Sequence, residues 1–266
     1  MITSIHNDRI RHLVRLRKKS SVRREGFMLL DGERIVSAAL NAGVEILEAY
    51  RFVSAGPDDR PDLLASRLLE RGIRVHAVSK TVFSRISYGE IDCGWVALAR
   101  APKNRMDTLL RRKNETAVLL DRVEKPGNVG AVLRTLDALG FCSLGACDLA
   151  TDLFNPNIVR ASMGACFTVP SAEGTIDDFC SLFCKKKIPG YVLDPGAKKS
   201  YFEIDLRTSA FLVAGSEHRG IRRRWIDAGF EPIAIPMQGT VDSLNVSVAL
   251  TAVLFESLRQ RKEKPS

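Results

Sequence analysis

Short apolar runs of strand length alternate with longer stretches of helical periodicity along most of this chain, and that alternation limits the fold more than any other feature. Phe27 to Leu30, Ile46 to Val53 and Val75 to Val78 read as strands. Glu33 to Ala42, ended by Gly43, and Leu63 to Arg71, closed by Gly72, read as helices. A second series follows: a strand over Ala117 to Leu120, a helix over Val129 to Leu139 ending at Gly140, and strands over Phe211 to Ala214 and Ile233 to Ile235. A last helix runs from near Ser243, an N-cap residue type, to about Arg261. Strands alternating with helices predict an α/β fold with a largely parallel sheet. The polar, basic stretch RAPKNRMDTLLRRKN separates the two series. With 266 residues available, the chain divides into a first domain over 1–100, a linker over 101–114 and a second domain over 115–266.

Charge follows the same division. Residues 1–114 hold 22 Lys and Arg against 13 Asp and Glu, and the remainder holds 18 of each. The densest basic run, Arg9, Arg11, Arg15, Arg17, Lys18, Lys19, Arg23 and Arg24, contains no acid. Ile10, Leu13, Val14 and Leu16 fall near one face of it, so the run rides an amphipathic helix. It reads as a surface for nucleic-acid phosphates, with a plain solvated helix face as the alternative. No apolar stretch is long enough to span a membrane: Val246 to Phe255 is broken by Ser247 and Thr251. The opening MITSIHNDRIRHLVRLRKKS has no apolar core of a secretory signal. The six cysteines form no C-x-x-C pair and no histidines sit at ligand spacing, so reduced thiols in a cytoplasmic protein, with no metal site, are expected.

Phosphate-loop, dinucleotide-turn, nucleophile-elbow and H-E-x-x-H patterns are all absent. Three polar segments stand out instead. One is Asp121-Arg-Val-Glu-Lys-Pro-Gly-Asn-Val-Gly130, leading into a helix that carries Arg134. The others are Gly215-Ser-Glu-His-Arg-Gly220 and Ile235-Pro-Met-Gln-Gly-Thr-Val-Asp-Ser-Leu-Asn245. Loops at strand ends bind ligands in open α/β sheets, and glycine lets backbone approach them closely. Each segment also has a plainer reading: Asn128 and Ser243 as helix caps, Asn245 as an early-turn residue, Arg134 as a solvated helix residue, Gly215 and Gly220 as turn residues.

Taken together, the segments resemble the SpoU/TrmH family of S-adenosylmethionine-dependent RNA 2′-O-ribose methyltransferases, in the SPOUT superfamily. The motif N-x-G-x-x-x-R is matched by Asn128, Gly130 and Arg134, and G-S-E-x-x-G by Gly215, Ser216, Glu217 and Gly220. I-P-M with S-L-N-V-S-V-A is matched by Ile235, Pro236, Met237 and Ser243 to Ala249. R-A-S-x-G is matched by Arg160, Ala161, Ser162 and Gly164. One departure is Lys125-Pro126-Gly127 where many members have Asp-Pro before the asparagine.

The resemblance implies a trefoil-knotted, mostly parallel catalytic domain behind a small α/β, ribosomal-protein-like RNA-binding domain. It also implies a homodimer through the catalytic domains. The two-domain form is most like ribosomal-RNA members, including antibiotic-resistance enzymes acting on large-subunit (23S) rRNA. By the same resemblance Arg134 is the main catalytic residue, with Asn128, Glu217, Ser243 and Asn245 orienting it and the ribose. The cofactor would be held by Arg160, Leu193, Gly215, Ser216, Ile235, Pro236, Met237, Ser243, Leu244 and Asn245, and RNA by the basic run. A tRNA ribose methyltransferase and a non-catalytic RNA-binding or ribosome-assembly protein are the alternatives.

Overall fold

The structure, a computed structural model, describes residues 1–17, 25–53, 62–88, 94–216 and 220–263. It divides into two compact units: Met1–Lys103 with Thr151–Thr168, and Asn104–Ala150 with Val169–Ser266.

The first unit opens with α1 (Asp8–Leu16), whose N-cap Asn7 accepts a hydrogen bond from the Arg9 amide through its side chain. Ile10, Leu13 and Leu16 are buried, but Val14 is exposed, so the apolar stripe is narrower than expected. There follow β1 (Phe27–Asp31), α2 (Glu33–Asn41), β2 (Ile46–Phe52), α3 (Leu63–Glu70), β3 (Arg74–Val78), α4 (Lys80–Ile86) and β4 (Trp95–Arg100). The sheet order is β1-β4-β2-β3, and only β2 and β3 run parallel. The expectation of a largely parallel sheet fails in this unit, because β4 returns between β1 and β2 and pairs antiparallel with both. Ile10, Leu13 and Leu16 of α1 share a core with Tyr50, Val82, Phe83 and Val96.

The second unit begins before the expected linker ends. Leu109 and Leu110 are buried among Ala117, Leu119 and Phe211. The Leu110 amide donates to Glu115 Oε1 at 2.7 Å, and Thr108 Oγ1 donates to the Ser171 carbonyl at 3.1 Å. Residues 104–114 are therefore part of this unit rather than a free tether. Next come β5 (Thr116–Asp121), α5 (Pro126–Leu139) and β6 (Cys142–Cys147). The chain then returns to the first unit through α6 (Pro156–Ser162), so the expected second domain over 115–266 is interrupted. The apolar residues Phe154, Ile158 and Val159 in that excursion are buried. Last are β7 (Ser171–Gly174), α7 (Ile176–Lys186), β8 (Gly190–Leu193), β9 (Ala210–Gly215), α8 (Arg223–Asp227), β10 (Glu231–Ile233) and α9 (Val246–Lys262).

Here the sheet is wholly parallel, in the order β10-β8-β9-β5-β6-β7. β5 and β6 are buried at all six positions, as a strand covered on both faces requires. Two helix starts differ from expectation. α5 begins at Pro126 with Lys125 at its cap, which puts Asn128 inside the first turn rather than at the cap. α9 is capped by Asn245, not Ser243.

Candidate active site

The C-terminal ends of β8, β9 and β10 lie side by side, with Leu193 opposite Ile233 in the ladder and Gly215 opposite Asp121 of β5. A cleft opens there, about 750 Å³ counting its mouth. Ala214, Gly215, Ser216, Gly220 and Ile221 form one wall, and Leu193, Asp194 and Pro195 another. Ile233, Ile235, Met237, Ser243, Leu244, Val246 and Ala249 complete it. Such a crevice outside the carboxyl ends of parallel strands is where α/β sheets bind ligands.

Seven of the expected cofactor residues thus meet in one place: Leu193, Gly215, Ser216, Ile235, Met237, Ser243 and Leu244. Pro236 is exposed between two lining residues and does not line the cleft itself. Arg160 does not line it either; it is an exposed residue of α6, in the first unit. Glu217 lies outside the described residues.

Ser216 and Gly220 pair as an antiparallel bridge, with the Gly220 amide donating to the Ser216 carbonyl at 2.9 Å. Gly220 has φ +60°, a left-handed conformation that glycine adopts without strain. A Cβ on Gly215 would lie 2.7 Å from the Gly220 carbonyl carbon, so the two residues approach closely only because Gly215 has no side chain.

At the rim, Asn245 does two jobs. Its Oδ1 accepts from the Ser247 amide at 3.0 Å and caps α9, while its Nδ2 donates to Asn128 Oδ1 at 3.1 Å. A second link joins the same two helices, Thr135 Oγ1 to Thr251 Oγ1 at 3.0 Å. Arg134 is exposed on α5 and forms no hydrogen bond or ion pair among the described residues. It stands about 9 Å along the helix axis from Asn128. Asn245→Ala is expected to cost about 1 kcal/mol through the lost cap, and Asn245→Ser to keep that stability because serine also caps. Both lose the link to Asn128, so both should lower turnover. Thermal melts beside rates check this, and equal stability loss in the two variants would remove the capping role.

Sequence reasoning missed a buried ionic cluster beside the Ser216–Gly220 bridge. Asp121, fully buried at the end of β5, accepts from Trp225 Nε1 at 2.8 Å and Arg222 Nε at 3.1 Å. Arg222 also reaches Asp148 Oδ2 at 2.7 Å. Asp194 was missed as well. It follows β8, a strand of four residues just behind a lysine-rich helix end, and the apolar Tyr-Val-Leu before it was the available signal.

The basic run is only partly free. Arg9 pairs with Glu48 at 2.6 Å and Arg11 with Asp8 at 2.5 Å. Arg17 donates to the Arg85 carbonyl at 2.6 Å and lies over the Tyr88 ring. Exposed Arg15 and Arg85 have no such side-chain partner among the described residues, and with Arg11 and His12 they line a groove between α1 and α4. Lys18, Lys19, Arg23 and Arg24 lie outside the described residues. Burial pushes the thiols of Cys142 and Cys166 up to about 12 and about 11, so they stay protonated near neutrality. Among the described residues no His, Cys, Asp and Glu group is placed to hold a metal ion.

Residues 115–255 match the SpoU rRNA Methylase family and residues 7–97 match the MRM3-like substrate binding domain. The chain is 31% identical to a 23S rRNA (adenosine(1067)-2′-O)-methyltransferase of Streptomyces laurentii, over 90% of this chain and 88% of that protein. It is 27% identical to the 23S rRNA (guanosine(2553)-2′-O)-methyltransferase RlmP of Bacillus subtilis, over 97% and 98%. The AdoMet-bound rRNA methyltransferase from Sinorhizobium meliloti superposes with a TM-score of 0.87 at 26% identity, covering 98% of each chain. The cleft at the strand ends, the Asn128–Asn245 link and matches that together span both units lead to one assignment: the chain belongs to the SpoU rRNA methylase family.

Proposed function

We propose that this protein transfers a methyl group from S-adenosylmethionine to a ribose 2′-hydroxyl of RNA, with 23S rRNA as the substrate. One observation carries the reading. Residues distant in sequence, Leu193 to Pro195, Ala214 to Ser216 with Gly220 and Ile221, Ile233 with Ile235 and Met237, and Ser243 with Leu244, close on a single cleft whose rim is tied to Asn128.

The lining fits such a cofactor. Leu193, Ile221, Ile233, Ile235 and Leu244 offer apolar walls for a flat base, and Met237 adds a polarisable thioether. The Ser216 and Ser243 hydroxyls and the Asp194 carboxylate are the polar groups for ribose hydroxyls and an ammonium. Gly215 keeps backbone bare at the wall. When bound, S-adenosylmethionine supplies a methyl already activated by its sulfonium. The chain's task is then to hold the 2′-oxygen in line and help it lose its proton. Asn245 fixes the Asn128 amide, which orients the ribose, and Ser243 and Glu217 belong to the same set. The Arg134 guanidinium acts as a fixed positive charge on the neighbouring phosphate and the oxygen that gains negative charge.

Further parts of the reading are the trefoil knot, a homodimer and a cytoplasmic location. The outward face of α9, with Val248 and Phe255 about half exposed, supports the dimer. No described helix is long and apolar enough to cross a membrane, in keeping with a cytoplasmic RNA substrate. Methylation of a nucleotide where a drug binds would give the antibiotic-resistance role, read out as drug sensitivity of cells with and without the protein.

The test is transfer of labelled methyl to 23S rRNA, 16S rRNA and tRNA in parallel. Alkali-resistant label at one 23S nucleotide is the expected result. Label in tRNA alone would establish the tRNA alternative, and no label without cofactor binding would leave a non-catalytic RNA-binding protein. For the first unit, Arg15→Glu with Arg85→Glu should weaken RNA binding and reduce the slope of log affinity against log salt by about 2. Anisotropy titrations at several salt concentrations check this, and an unchanged slope would remove the α1–α4 groove from the RNA surface.

A further inference from the structure

The wall of the cleft that carries Ser216 and Gly220 has two feet. The first, Gly215, is held by the sheet, in ladder with β5. The second is the return leg, Gly220 and Ile221, which leaves the bridge without strand neighbours and ends at Arg222. Both Gly220 and Ile221 line the cleft. Ile221 packs against the apolar core and the Gly220 amide donates to the Ser216 carbonyl, and the guanidinium that follows them ties the leg to the sheet. Arg222 Nη2 lies 2.5 Å from Asp121 Oδ1, its Nε donates to Asp121 Oδ2 at 3.1 Å, and its Nη1 lies 2.7 Å from Asp148 Oδ2.

The two carboxylates belong to adjacent strand ends. Asp121 closes β5 and Asp148 follows the last residue of β6. The chain turns sharply at both places: Arg122 has φ +53° and Asp148 φ +50°, left-handed values uncommon outside glycine. The Arg122 amide donates to the Cys147 carbonyl at 2.9 Å and the Asp148 amide to the Gly174 carbonyl at 3.1 Å, which holds these turns in place. The planar fork of arginine sets two nitrogens against Asp121 and a third against Asp148, a bidentate geometry that the point charge of a lysine ammonium does not reproduce. The sequence from Asp121 also leads directly into the segment that carries Asn128.

We propose that Arg222 is a positioning residue for the cofactor: it pins the return leg, Gly220 and Ile221, to the ends of β5 and β6 and so sets the width of the cleft. The proposal rests on the functional reading above. A purely structural ion pair would hold the unit together without setting cofactor affinity, and the two roles separate by measurement. Asp148→Asn leaves the pair with buried Asp121 intact and weakens only the second arm, from an ion pair to a neutral acceptor. It is expected to keep the melting temperature near that of the wild type while raising the Kd for S-adenosylmethionine severalfold. Arg222→Lys should raise it roughly tenfold, the scale lost when a group supporting a ligand contact is removed. Arg222→Met should raise it further and also lower the melting temperature, because it leaves buried Asp121 with only the Trp225 N–H and the longer Arg122 contact at 3.6 Å.

The experiment is calorimetric titration of each full-length variant with S-adenosylmethionine, beside its thermal melt. Calorimetry separates the two roles, since loss of folded protein lowers the stoichiometry and loss of positioning raises Kd. Unchanged Kd in folded Asp148→Asn and Arg222→Lys would overturn the proposal, whatever happens to Arg222→Met. Wild-type protein that binds no S-adenosylmethionine would overturn the functional reading itself.

Discussion

Arg134→Ala is expected to lower methyl transfer by roughly 10²- to 10³-fold, the cost of removing one fixed donor from a developing negative charge. Stability should move by no more than about 0.5 kcal/mol, as for other exposed substitutions without broken contacts. The reason is structural. Arg134 is exposed, it has no hydrogen bond or ion pair among the described residues, and it does not line the cleft. Its removal therefore leaves no buried group unpaired and takes no contact from the cofactor. Cofactor Kd should stay within error of the wild type while turnover falls. Arg134→Lys should recover little, because an ammonium cannot reproduce the two-pronged contact of a guanidinium with phosphate. Single-turnover rates with saturating RNA, beside calorimetry, decide the matter. Full activity in the alanine variant would remove Arg134 from the catalytic step, and a parallel loss of cofactor affinity would move its role to the cleft.

The candidate site was more legible in the sequence than the path of the chain around it. Gly215, Ser216, Ile235, Met237, Ser243 and Leu244 were readable because each motif is continuous and needs its neighbours at fixed offsets along the backbone. Asp194 was not readable, since β8 is only four residues long and periodicity needs more length to register. β6 was hidden for another reason. Its CSLGAC is built of small residues, although every position is buried. Gly145 is small by necessity: a Cβ there would lie 2.6 Å from the ring of Phe179. The linker was misjudged because charge outweighed the pair Leu109-Leu110, which is buried. Arg222 and Asp121 are 101 residues apart, and nothing local distinguishes a bridging arginine from a solvated one. The antiparallel placing of β4 is likewise a property of the assembled sheet.

Gly215→Ala is expected to cut S-adenosylmethionine affinity by about 10²-fold, the penalty typical of a 1 Å misplacement at a site built on close approach. The added methyl would meet the Gly220 carbonyl carbon at 2.7 Å and Ile221 Cδ1 at 3.1 Å. The side chain of Ile221 can rotate aside, but the carbonyl belongs to backbone and can yield only if the return leg moves. β9 cannot yield instead, because Gly215 is the last rung of a ladder beside buried Asp121. The strain therefore falls on Gly220 and Ile221, both of which line the cleft. Overpacking of this kind costs roughly 1–3 kcal/mol, so the melting temperature should fall as well. Gly239→Ala is the control. That glycine precedes the Ser243–Asn245 segment, a Cβ there meets nothing within 4 Å, and both cofactor affinity and stability should be retained. Calorimetric titration and melts of the two variants make the comparison. Wild-type affinity in a folded Gly215→Ala variant would mean that the two legs can part without disturbing the cofactor. The close approach at Gly215 would then be a matter of packing alone.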